Sequence, residues 1–435
     1  MGTHKVHAGY TLLLPLRPDS VETAFAWLER GHLKAGFERS ETTHFASVTI
    51  LPADRYNEEP LPATLLFATS FCGPAVDHVA ELAQLMGHEL DELFCFCEDY
   101  RPHTDIPAFI AASRHSDCFY SGMQNVSPKD VRDQARLREV IEAFLDREKP
   151  TGNAKQVRAK IRDFVAIHEP WALVAEPLAR GTWRAAHTRA VEALAVGMPI
   201  VALSILGLCW HPLIVISIWG AVIAIVIAIV LSIRLAESQQ TFVAERLPDA
   251  YVNSLAATQV RPVINEFVIA GPVKEEGPLR PMFLQAALWV VEAAVQSVPH
   301  IPQLATPMEI PTVATARWIA ADGGRRLIFI SNYTNAAEDY VRDFIDTPAG
   351  AKNINISFGF GRGYPKTRWV VKDGAVTDPN AFAYVVANNQ RPSVFWYGPY
   401  VNLSVDNIRI NKQIRDGIVE PEPDEPTAQA WLYLL

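Results

Sequence analysis

Between Ala193 and Ile233 the chain runs for 41 residues without one Asp, Glu, Lys or Arg. One crossing of a bilayer's hydrocarbon takes roughly 20 apolar residues at about 1.5 Å rise each, so the run has the length of two. His211-Pro212 falls near its middle, where a proline without an N–H ends a helix and an imidazole can reach the headgroups. The expectation is a transmembrane helical hairpin, about Leu194–Cys209 in one direction and Leu213–Ile233 in the other. A buried pair inside a soluble core is the competing form, but soluble helices carry a polar stripe and Ala221–Leu231 has none. A shallow hairpin that enters without crossing stays open, because the first arm is short for a full span.

The flanks orient the hairpin. Arg180, Arg184 and Arg189 precede it and Arg234 follows it, while its turn has no Lys or Arg. The positive-inside rule then places both globular halves of a two-span membrane protein in the cytoplasm. A net charge of −9 argues against nucleic acid as a partner and leaves the lipid bilayer as the first one. Met1–Pro15 has too short an apolar run for a secretory signal, and Val6 stands where a myristoylation motif needs Ser or Thr. Five cysteines, an odd number in that compartment, are expected to be reduced.

On each side of the hairpin the residue pattern switches between period 2 and period 3.6. Val6–Leu16, Thr43–Leu51, Ala63–Ser70 and Glu92–Cys97 read as strands, with helices at Ser20–Ala35 and Ala75–Met86. Further on, Glu266–Lys274, Thr312–Ala321, Arg326–Tyr333 and Asn353–Phe360 read as strands, with helices at Leu279–Gln296 and Ala337–Ile345. Both orders are β-α-β-β-α-β, the ferredoxin-like arrangement of an antiparallel sheet with both helices on one face. Residues repeat as well. LLFATSF at Leu65–Phe71 lies over LIFISNY at Leu327–Tyr333, and Asp-x-Val follows at Asp77 and Asp339. The stretch from Cys118 aligns without gaps on that from Phe395, pairing Tyr120 with Tyr397, Asn125 with Asn402, Ser127 with Ser404, Arg132 with Arg409 and Arg138 with Arg415. In each copy that Ser, or Asp130 and Asn407, is placed to cap the next helix.

Two such units, with strands like THFASVTI and LIFISNY, resemble the dimeric α+β-barrel superfamily, and more narrowly bacterial proteins distantly related to dye-decolorising-type peroxidases. The resemblance covers both globular halves and rests on structural motifs. It implies an α+β fold of two tandem ferredoxin-like units pairing as an intrachain barrel around a pocket, with the hairpin inserted between them. The corresponding divisions are a first unit with an extra strand (1–127), a charged helical connector (128–190), the hairpin (191–236), a second unit with an extra strand and helix (260–419) and an acidic, Pro-rich tail (420–435). The fold does not by itself imply haem. The Gly-x-x-Asp-Gly motif and C-terminal proximal His of those peroxidases are not found. Thr334-Asn335 stands where Asp-Gly is expected, and His300, in a Pro-rich loop, is the one histidine after His211. The cofactor is therefore left unknown.

No His, Cys and acidic set has metal-ligand spacing, so no metal is assigned. Gly359–Gly363 is a weak phosphate-loop match that opens no clear helix. Cys95 and Cys97, two apart on an expected strand near Cys118, form either a thiolate metal site or, more simply, buried reduced thiols. His44 and Arg317 lie on corresponding second strands, but His44 aligns with Ala314 and Arg317 with Ser47, and alternation turns the two to opposite faces. Arg317 can hold a carboxylate or phosphate beside an apolar cavity, or pair with an acid at a sheet edge. Tyr120 and Tyr397, Asn125 and Asn402, with Arg132 and Arg409, either line equivalent places around a shared pocket or cap turns. These two residues, Arg317 and His44, and the doubled Tyr and Asn pairs are the candidate ligand-binding set.

Trp171, Trp183 and spaced arginines suit a membrane surface or a soluble connector, and the tail is expected to be mobile with its terminal AWLYLL docking back. The chain reads as a membrane-anchored binding or interaction protein of unknown ligand, with a pocket for an apolar or lipid-derived small molecule expected between paired sheets. The alternative is a membrane-bound, peroxidase-like oxidative enzyme acting on a hydrophobic substrate. The lack of a clustered catalytic motif weighs toward binding.

Overall fold

The computed structural model describes residues 7–123, 126–174, 198–205, 209, 211–239, 263–275, 280–297, 312–334, 340, 354–378, 385–420 and 422–435. Its strands are β1 (His7–Pro15), β2 (Thr43–Leu51), β3 (Asp54–Tyr56), β4 (Glu59–Leu61), β5 (Thr64–Cys72), β6 (Arg114–His115), β7 (Cys118–Ser121), β8 (Ile264–Pro272), β9 (Val313–Ala321), β10 (Arg326–Thr334), β11 (Thr367–Arg368), β12 (Lys372–Asp373) and β13 (Phe395–Tyr397). They form a mixed α+β structure with two main antiparallel sheets, of order β13-β2-β5-β1-β6 and β7-β9-β10-β8. Two short hairpins, β3–β4 and β11–β12, stand apart from them.

The central strands are buried on both faces, which is why they read as continuous apolar runs rather than clean alternations. Alternation still sorts the contacts. From β5, Leu65, Phe67 and Phe71 join the core under helices Val21–Glu29 and Ala75–Phe94, while Leu66 and Ala68 face the other way. There they meet Val268, Ala270, Ile319, Ile328 and Ile330 of the second sheet in one apolar cluster. The opposite face of the second sheet, through Ile269, Phe329 and Tyr333, packs on Tyr340, Ile354 and Tyr364.

The register of the two sheets repeats residue for residue. His7↔Cys72 and Leu12↔Phe67 in the first correspond to Ile264↔Thr334 and Ile269↔Phe329 in the second. Val48↔Phe67 corresponds to Trp318↔Phe329, and each second strand is bulged at the same place, at His44 in β2 and at Ala314 in β9. The terminal strands are exchanged. The first half's β7 pairs with β9 (Cys118↔Trp318), and the second half's β13 pairs with β2 (Phe395↔Val48), so each sheet is completed by the other half.

Three expected elements differ. Glu92–Cys97 is not a strand: past a kink at Met86 the chain stays helical to Phe94, because Leu90, Leu93 and Phe94 carry on the buried side begun by Leu82 and Met86. Over Asn353–Phe360, residues 354–358 are helical. Each expected fourth strand is reduced to a single bridge, Leu16↔Cys97 and Val273↔Gly361, with matching hydrogen bonds from Arg17 N to Phe96 O and from Lys274 N to Phe360 O. The helix expected over Ser20–Ala35 is split into Val21–Glu29 and Lys34–Arg39 at Gly31, whose φ of +71° is open to glycine. The Ala337–Ile345 helix falls, except for Tyr340, outside the described residues.

Ser127 and Ser404 head the helices Pro128–Glu148 and Val405–Val419 as reciprocal capping boxes with Asp130 and Asn407. These helices, with Ala154–His168, bury Leu137, Ile141, Ile161, Ile414 and Ile418 together, so the charged stretch from 128 is one side of a helical core. Trp171 packs against that core; Trp183 lies outside the described residues. The chain's last residues do dock back. Helix Glu425–Leu432 buries Trp431, whose Nε1 donates to Ile414 O, and Glu425 accepts from Ala154 N.

Of the apolar run, helix Pro212–Gln239 is long and apolar enough to cross a membrane, and its most apolar stretch is unburied. It passes the end of the apolar run by more than a turn because Glu237 is taken into the protein. That carboxylate, 1% exposed, accepts from Thr367 Oγ1 (2.9 Å), Trp369 N (3.0 Å), Val370 N (2.8 Å) and Arg234 Nη1 (3.2 Å). Lys366 Nζ adds a bond to Ser238 O. Glu237→Ala leaves two backbone N–H groups without their acceptor, a cost of about 1–3 kcal/mol. Trypsin is expected to cleave after Lys366 or Arg368 faster in this variant than in the parent; equal rates would mean that the helix end is not held here.

Candidate functional site

Arg317 leaves β9 toward the first sheet and is 2% exposed. Its Nη1 donates to Tyr10 O (3.2 Å) and Thr11 Oγ1 (3.0 Å), and its Nη2 to Thr69 O (2.9 Å) and Ser70 Oγ (2.6 Å). Asp117, 3.5 Å away, supplies the counter-charge and accepts from Thr11 Oγ1. Gly9 makes the room: a Cβ there would lie 2.7 Å from Phe119 and 3.3 Å from the guanidinium carbon. Burial pushes the Arg317 pKa down, with Asp117 and Glu266 opposing. The guanidinium thus ties the β1–β5 pair to the second sheet. The facing surfaces around it are filled by the apolar cluster described above.

His44 lies elsewhere, at the β2 bulge, and is completely buried. Its Nδ1 is 2.5 Å from the Tyr400 hydroxyl and its ring centroid is 4.3 Å from that of His7; among the described residues its Nε2 makes no hydrogen bond of good geometry, though the Val126 carbonyl is close enough to act on the ring. His7 places Nδ1 2.9 Å from Ser121 Oγ and donates Nε2–H to Val126 O (2.5 Å). Cys72 faces His7 across the β1–β5 ladder. Burial lowers the His7 pKa to about 4, against the Val126 carbonyl and Asp130. Burial first, then the His7 ring, hold His44 well below the usual imidazole range. Burial also raises the Tyr400 hydroxyl. Two neutral imidazoles, a thiol and a phenol therefore share one closed end of the first sheet. Against known protein families, curated proteins and solved structures, the chain has no match.

The other expected residues are not gathered there. Tyr397 stacks on Phe37 (5.6 Å) on the helix side of the first sheet, whereas Tyr120 packs on the outer core of the second. Asn402 is exposed, and Asn125 and His300 lie outside the described residues. Cys95 and Cys97 follow a helix rather than share a strand face. Cys97 is buried, which pushes its thiol up to about 12, and Cys118 belongs to the second sheet. Sequence reasoning missed His7 and Cys72, which sit at strand ends; the signal was available in the comparison of the halves, since both replace apolar or neutral residues of the other copy.

A pocket opens on the outer face of the second sheet, lined by Ile269, Leu327, Phe329, Phe358, Tyr364 and Val386. The segment that closes it, 358–364, runs directly into Lys366–Val370, the residues that hold the end of the apolar helix.

Proposed function

We propose that this chain is a membrane-anchored binding protein that holds an apolar, lipid-derived molecule beside the bilayer. The carrying observation is the double duty of residues 358–370: one end lines an apolar pocket and the other grips the membrane helix at Glu237. The apolar end of a ligand leaving the bilayer along that helix has a short path to this lining, a narrow cleft that takes a chain end and leaves the rest of the molecule outside. Two spans are supported by helical residues 198–205 and by Trp219 Nε1 donating to Ser204 Oγ (3.1 Å), two residues equidistant from the His211-Pro212 turn. The arginine flanks favour a cytoplasmic side for both halves. The shared registers, bulges and exchanged end strands support a duplicated ferredoxin-like unit, paired as an intrachain barrel. The ligand then sits outside the paired sheets, because their interface is occupied by packed side chains and Arg317.

The full chain, purified in mild detergent and extracted with organic solvent, should yield a co-purifying lipid by mass spectrometry. Val386→Leu narrows the pocket by one methylene and should lower the yield about tenfold, the equivalent of roughly 1.4 kcal/mol of affinity, with the melting temperature recorded alongside to separate occlusion from overpacking of this buried residue. An extract no richer than that of protein-free micelles defeats the reading.

A further inference from the structure

The donor atoms of His7, His44 and Cys72 all lie within 4.8 Å of one another. We propose that they form a metal site for a zinc-class ion, held by two imidazoles and one thiolate. The site is independent of the apolar pocket, which lies on the other sheet.

Three separate features build it. Antiparallel register sets His7 opposite Cys72, and the bulge between Thr43 and Phe45 adds His44 to β2 beside that pair. The outer contacts of the rings match those that metal-bound histidines make. Val126 O can only accept, so His7 keeps its proton on Nε2 and offers Nδ1, which now meets only the Ser121 hydroxyl. In the tautomer that gives Nδ1–H to Tyr400, the His44 lone pair is at Nε2, a fully buried nitrogen that makes no hydrogen bond of good geometry among the described residues, and the Val126 carbonyl near the ring can only accept. Binding releases the Cys72 thiol proton to solvent and leaves a fourth position for water or a small anion.

The second half supplies the control. At the positions equivalent by register to His7, His44 and Cys72 it has Ile264, Ala314 and Thr334, and at that of Tyr400, Met123. Ile264, Ala314 and Met123 pack into one apolar cluster, and Thr334 Oγ1 accepts from Val405 N. The same bulged strand end therefore folds without an imidazole or a thiol. The bulged strand end itself does not require two imidazoles and a thiol, and two nitrogens plus one sulfur are the donor set of borderline-soft ions such as Zn2+.

The test uses the full chain in mild detergent, reduced and free of oxygen, titrated with Co2+ as the visible stand-in for Zn2+. About one equivalent per chain should bind, with a thiolate-to-cobalt charge-transfer band in the near ultraviolet that Zn2+ displaces. Cys72→Thr, which installs the other half's own residue, and His44→Ala, made together with Tyr400→Met so that no buried hydroxyl is stranded, should lose the band; Cys97→Ser should retain it. Absence of stoichiometric uptake by the parent, or a band that survives Cys72→Thr, overturns the site whatever the variants do to folding.

Discussion

Arg317→Ala should lower the stability of the whole chain by about 3–5 kcal/mol, the usual cost of removing one partner of a buried charge pair. The side chain donates four hydrogen bonds into two strands of the facing sheet, two of them to main-chain carbonyls at Tyr10 and Thr69. Truncation strands those acceptors and leaves the Asp117 carboxylate, itself 6% exposed, without its counter-charge. Arg317→Lys should recover little, because an ammonium cannot span both strands as the planar fork does. Arg317→Met with Asp117→Asn should recover part of the loss, since it removes the unpaired charge but not the need of the Tyr10 and Thr69 carbonyls for a donor. Urea unfolding of the three variants in one detergent makes the comparison. A fully stable Arg317→Ala that no longer retains a bound anion would instead assign the guanidinium to ligand binding.

That result bears on how much the sequence disclosed. Strand interiors were legible because burial on both faces writes them as apolar runs: Thr43–Leu51 begins and ends as its pattern predicts. The helix caps were legible through Ser127 and Ser404, since each is a local signal. What escaped was long-range pairing. Nothing near Phe395 states that it will lie beside Val48, and nothing near Arg317 names Tyr10 and Thr69 as its acceptors. The Phe94-Cys-Phe-Cys97 alternation imitates a strand, while the deciding contacts of Leu90 and Leu93 come from the helix that precedes it. His44 was picked out by type, but its company was not, because a bulge rotates one residue out of the alternation that sequence reasoning relies on.

Acid should unfold this protein through His78. Its ring is buried, stacked flat on Phe71 at 4.1 Å, and bonded at both nitrogens: Nδ1 lies 2.8 Å from Thr42 Oγ1 and Nε2 2.9 Å from Thr69 Oγ1. Because the Thr42 hydroxyl donates to Glu81, Nδ1–H donates to Thr42 and Nε2 accepts from Thr69, a set that a neutral imidazole completes. Burial lowers its pKa from 6.5 to about 3. Below pH 6.5 the unfolded chain therefore binds a proton that the folded chain refuses. The stabilisation is whole above 6.5 and is lost as pH falls toward 3, about 3 kcal/mol of it by pH 4. His78→Gln keeps a donor and an acceptor but no titrating proton. Between pH 6 and 4 it should flatten the slope of unfolding free energy by about 1.4 kcal/mol per pH unit, one proton's worth. An unchanged slope would mean that His78 accepts its proton inside the fold, and the acid sensitivity would then belong to other groups.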